Sequence, residues 1–130
     1  MAFIPCKIGG GGSASISPMF GILSSGVSSV YATRVFSSDD SLMTDGQYVT
    51  TASGSYTVKR AAKGKIYFGL VSRGTTGTAG TFTIKGTTYT VQSMLGTSID
   101  VNFVANDAIS FTVPTAAYFG TISLVFVEEA

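Results

Sequence analysis

From Val30 onward the apolar residues recur at every second position, the spacing of a β-strand with one buried and one wet face. A helix would need a period of 3.6, and no window sustains that pattern over ten residues. Tyr56 and Val58 alternate with Ser55, Thr57 and Lys59, and Ile66, Phe68 and Leu70 follow in phase after Lys63-Gly64, which predicts strand, turn and strand. Phe82 and Ile84 alternate with Thr81, Thr83 and Lys85, then Gly86 interrupts before Tyr89 and Val91 resume, the pattern of a hairpin. Ile99, Val101 and Phe103 lead through Asn106-Asp107, a pair suited to left-handed turn geometry, into Ile109, Phe111 and Val113, which predicts a second hairpin.

Pro114 lacks an amide donor and should end that strand, after which Ile122, Leu124 and Phe126 predict a last strand inside a sheet. Adding Val30–Phe36 and Gln47–Thr50 brings the expectation to eight or nine short strands. An all-β, antiparallel two-sheet β-sandwich is the economical fold, a jelly roll being one winding that fits. At 130 residues and 45% hydrophobic content the chain suits one domain with a core of ordinary size. The sandwich is expected over residues 29–130.

Residues 1–28 show no sustained period and are rich in Gly and Ser, which predicts an extended N-terminal arm outside the core. Two apolar islands stand in it, Phe3-Ile4-Pro5 and Met19-Phe20-Gly21-Ile22-Leu23. Phe3, Ile4, Met19, Phe20, Ile22 and Leu23 are therefore the candidate partner-binding residues, able to order on a neighbour. Lys7 is followed by Gly9, Gly10, Gly11 and Gly12 where a signal peptide would carry an apolar run. Met19–Leu23 is far short of the ~20 residues of a membrane span, so the expectation is a product made in the cytoplasm without a cleaved signal.

The inventory of reactive groups is thin. Histidine is absent, removing the commonest general base and the usual partner of a Ser or Cys nucleophile. A single cysteine, Cys6, can form neither an internal disulfide nor a thiolate cage for zinc or iron–sulfur, though it could bridge to another chain. Asp39, Asp40 and Asp45 form an acidic cluster without EF-hand spacing, read as a solvated loop before a weak calcium site. Lys59, Arg60, Lys63 and Lys65 put four positive charges around one turn, read as a wet turn before an anion-binding patch. The glycines of Arg73–Gly80 lack the Lys-Ser or Lys-Thr ending of a phosphate loop. No enzyme activity, no cofactor and no metal are expected.

Eight Lys and Arg against seven Asp and Glu leave a formal charge of +1, too little to attract nucleic acid or an anionic membrane. Tyr31, Tyr48, Tyr56, Tyr67, Tyr89 and Tyr118 could stack on sugars if several shared a groove, although Tyr56 and Tyr89 fall on the core phase. A receptor- or carbohydrate-binding module would use these with the loops Ser37–Gly46 and Arg73–Gly80, against a cell-surface glycan. Only 12% of residues are charged, so exposed strand edges would pair with one another unless partner subunits cover them, which predicts a homo-oligomer.

The start Met1-Ala2-Phe3-Ile4-Pro5, the run Gly9–Gly12 and a Thr/Ser/Gly-rich β domain containing Val104-Ala105-Asn106-Asp107-Ala108-Ile109-Ser110-Phe111 resemble the small structural proteins of tailed bacteriophages. That resemblance implies a virion part without catalytic residues: a capsid decoration, a neck or tail appendage, or a fibre module, often trimeric, contacting other virion proteins. The chain has none of the repeats or heptads of long fibres.

Overall fold

The computed structural model describes residues 17–27, 30–72, 80–112 and 120–129. Among the described residues ten strands form two antiparallel sheets. The first five are β1 (Met19–Val27), β2 (Val30–Ser37), β3 (Tyr48–Val49), β4 (Ser53–Thr57) and β5 (Ala62–Ser72). Then come β6 (Thr81–Ile84), β7 (Thr87–Thr90), one helical turn α1 (Val91–Met94), β8 (Ser98–Phe103), β9 (Ala108–Thr112) and β10 (Gly120–Glu128). The large sheet runs β3-β2-β1-β10-β5-β8 and the small one β4-β9-β6-β7. The expected two-sheet sandwich is present. Among the described residues no helix is long and apolar enough to cross a membrane.

The pairing is nested: β1 with β10, β4 with β9, β5 with β8, β6 with β7. The chain therefore behaves as one long antiparallel ribbon folded over, with β2 and β3 added at one edge of the large sheet. β10 lies between β1 and β5, the interior place expected for the last strand. The β6–β7 hairpin also stands as expected. Its turn puts Lys85 at φ 51° and Gly86 at φ 84°, the left-handed pair that a two-residue connection needs to match strand twist.

Two local expectations are corrected. Lys63 and Gly64 are not a turn but part of β5, and the chain between β4 and β5 passes from the small sheet to the large one. Asn106 does adopt the left-handed conformation (φ 74°), yet β8 and β9 also lie in different sheets and do not pair as a hairpin. Alternation reports which residues face inward, and both arrangements bury the same residues.

The boundary of the arm is corrected as well. Met19–Val27 is a strand paired along its length on both sides, Phe20 opposite Ser37 of β2 and Phe126 of β10. Phe20 and Ile22 lie in the core at 1% and 0% exposure, so they dock on this chain's own interior. Phe3 and Ile4 lie outside the described residues.

Between the sheets, Phe20 stacks on Phe126 with centroids 5.2 Å apart, and Phe103 meets Phe126 edge-on at 5.2 Å. These rings join β1, β8 and β10. Tyr56 stacks on Phe111 within the small sheet, at 5.8 Å, and Phe68 of β5 reaches across to Phe82, at 6.3 Å. Leu42 and Met43, from the β2–β3 connection, are fully buried as well. The buried hydroxyls of Ser24 and Thr33 hydrogen-bond each other across β1 and β2, which spares each the cost of burial without a partner. Gly64 admits no side chain, because a Cβ there would run into the Val127 carbonyl of β10.

Replacing Phe126, which is 0% exposed and touches both other rings, should be among the most damaging core changes. Phe126→Ala is expected to cost about 3–5 kcal/mol, read as a lowered urea midpoint in equilibrium unfolding.

Candidate functional site

The two outer faces of the sandwich differ in chemistry. On the small sheet the outward positions are almost all hydroxyls. Ser53, Thr112, Thr81 and Thr90 form one row across β4, β9, β6 and β7, and Ser55, Ser110, Thr83 and Thr88 form the next. Several bond their neighbours, Thr81 to Thr112 at 2.8 Å and Thr83 to Thr88 at 2.9 Å. Among the described residues no aromatic ring stands outward on this face.

On the large sheet the outward positions mix polar residues, among them Arg34, Ser123, Lys65 and Asp100, with large apolar ones. Met19 and Leu23 of β1, Phe36 of β2, and Tyr67 and Val71 of β5 are exposed there. Val30 of β2 and Tyr48 of β3 extend the same face, leaving Leu95 and Val104 as the only large exposed hydrophobics elsewhere among the described residues. One register row reads Phe36, Gly21, Val125, Tyr67 across four strands, and the Phe36 ring lies over Gly21, in the space a side chain there would need. Beside it is a groove of about 260 Å³ walled by Met19, Phe36 and Val125, with Asp45 at its rim.

The candidate partner residues of the sequence thus divide by strand parity. Met19 and Leu23, each 37% exposed, point outward into the apolar face, whereas Phe20 and Ile22 point inward. Phe36 and Val71 have no candidate role in the sequence reading and Tyr67 only that of a sugar-stacking ring, yet all three are legible as apolar residues on the off-phase of otherwise alternating strands.

The charged clusters are consumed in structural pairs. Arg60 donates to both Glu128 oxygens, at 2.8 and 2.9 Å, to Asp39 at 3.3 Å and to the Ser41 hydroxyl at 3.0 Å. It ties the β2–β3 connection to the end of β10. Lys63 approaches Glu129 at 3.8 Å, and Lys65 bonds Asp100 at 2.7 Å, so three of the four positive charges in the run face a carboxylate. Asp45 accepts from the Ser37 amide at 3.2 Å. No three His, Cys, Asp or Glu side chains gather as a metal site among the described residues.

For the tyrosines, Tyr56 is buried, its hydroxyl has no partner among the described residues, and burial raises its pKa. Tyr31 and Tyr89 pack against the core and Tyr118 lies outside the described residues. Tyr48 and Tyr67 are exposed, but β2, β1 and β10 separate their strands, a span of about 19 Å, too wide for one stacking platform. Most of the Arg73–Gly80 loop lies outside the described residues. No protein-family model, no curated protein and no solved structure matches this chain.

Hydrogen bonding from Arg60 lowers the Glu128 pKa. Asp39 is lowered by its bonds from Ser41 and then by Arg60. Folding depresses both carboxyl groups, so their stabilisation is complete above the unfolded carboxyl range and is lost as pH falls through the folded values. Arg60→Gln should lower Tm by a few degrees at neutral pH, and the gap to the unsubstituted protein should close in acid. Thermal scans from pH 7 downward test this; a gap that persists once both carboxyls are protonated would refute it.

Proposed function

We propose that this chain is a non-enzymatic structural subunit of a tailed-phage virion, a jelly-roll sandwich that joins a homo-oligomer and neighbouring virion proteins through the outer face of its large sheet. The nested strand pairing supports the jelly-roll reading, because two Greek keys wound as one ribbon require that order, and viral capsid domains use such windings. The observation that carries the assembly role is the concentration of Met19, Leu23, Phe36, Tyr67 and Val71 on one sheet face.

Scattered exposed hydrophobics need no explanation, but a contiguous apolar patch costs free energy in water until something covers it. A sheet face facing solvent ordinarily carries polar residues, as the small sheet of this same chain does. The resemblance in the N-terminal residues and the thin catalytic inventory support a virion part over an enzyme.

Leu23→Asp combined with Tyr67→Asp places two charges on the face without touching the core. The variant should keep its β-sheet circular dichroism yet fall to background in purified particles, measured by immunoblot against the particle proteins. Normal incorporation of the folded variant would overturn the assembly role of this face.

A further inference from the structure

We infer that the outer face of the large sheet pairs with the same face of a second copy, about a two-fold axis running along the strands between β1 and β10. This rests on the assembly reading above and names the partner of that face. A rotation about such an axis lays β1 over β10 and β2 over β5 of the other copy, and the observed register then dictates which residues meet.

In the row of Phe36 and Gly21, Phe36 faces Tyr67 of the partner subunit and Gly21 faces Val125 of the partner subunit. One row on, Leu23 faces Ser123 of the partner subunit and Arg34 faces Gly69 of the partner subunit. The next row sets Ala32 against Val71 of the partner subunit. Aromatic thus meets aromatic in one row and Leu23 meets a small residue in the next, and each contact occurs twice, the reciprocity an isologous interface requires. The long Arg34 side chain comes over Gly69 of the partner subunit, beside the hydroxyl of Ser123 of the partner subunit. Sheets that pack face to face cross at about 30°, which leaves these central rows in contact and parts the corners.

Charge and area agree with a second copy. Lys65 comes over the corner that holds Asp45 of the partner subunit, so its ammonium approaches that carboxylate, with Asp100, its own ion-pair partner, beside it. Four long strands of about 30 Å at about 4.8 Å spacing, with the short β3 and β8 beside them, give a face on the order of 700 Å². That is close to the roughly 800 Å² per partner of a standard stable interface. The hydroxyl face of the small sheet is of smaller extent, and its side chains already satisfy one another.

Sedimentation velocity of the full chain should give a dimer mass, and Leu23→Asp should weaken the pairing on the order of thirtyfold. In a Cys6→Ser background, Ser123→Cys lies beside the axis and should be joined into a covalent dimer by a short bis-maleimide. Ser110→Cys, on the hydroxyl face, should not. A chain that remains monomeric at its highest soluble concentration, or that cross-links as well through Ser110→Cys, would overturn the pairing. If such a monomer still loses particle incorporation with Leu23→Asp and Tyr67→Asp, the pairing alone has failed and the assembly role of the face stands. A dimer whose charged variant incorporates normally gives the converse.

Discussion

The fold depends on β1 being paired on both of its edges. It stands third of six in the large sheet, and it connects β2 and β3 to β10, β5 and β8. Without it β2 and β10 would each expose a row of unpaired amides and carbonyls, and the two halves of the sheet would have no hydrogen-bonded connection. Its inward side chains are no less necessary. Phe20 packs on Phe126 and Phe103, so one ring from the first strand closes a cluster made by two distant strands. Such contacts have large sequence separation, and the loop-closure entropy they demand makes the sandwich a slow, cooperative unit.

The same alternation that builds the core also gives the molecule two unlike sides. In the small sheet every outward position of β6 and β9 except Ala108 carries a hydroxyl, and these bond laterally across the strands. Such a surface is content in water. In the large sheet the outward positions of β1, β2 and β5 carry Met19, Leu23, Phe36, Tyr67 and Val71, for which water offers no compensation. The difference is one of side-chain chemistry on identical backbone geometry, and it is the ground for the assembly face proposed above.

Much of the fold was legible because one face of each strand is buried, which imposes a period of two. The β6–β7 hairpin was legible for a second reason, since Lys85-Gly86 supplies the left-handed turn within a four-residue span. Partner identity was not legible. Chains that cross between sheets, as after β4 and after β8, show the same inward phase as hairpins do. β1 was misread as arm because Gly21, Ser24, Ser25 and Gly26 have linker composition; in the fold Gly21 lies under the Phe36 ring and Ser24 shares a buried hydrogen bond with Thr33. The Arg60 bridge was invisible for want of locality, its partners Asp39 and Glu128 lying 21 and 68 residues away.

The scarcity of charge then acquires a physical meaning. The described ionic side chains are largely committed to fixing connections: Arg60 to Asp39 and Glu128, and Lys85 to Asp107, whose carboxylate also accepts from the Val104 amide at 2.8 Å. Lys65 and Asp100 pair at the β5–β8 side of the large sheet, at 2.7 Å. Only Arg34 places a charge among the central apolar rows of the outer face, and its aliphatic stem can lie along apolar surface while the guanidinium keeps polar neighbours. Burying a face studded with unpaired charges would cost several kcal/mol per ion, enough to cancel the gain from covering the apolar side chains. With the charges tied up at the ends of strands and in the connections, that penalty is largely avoided. In the proposed pairing, a low-charge composition is what would let a sheet face of this kind be buried between subunits.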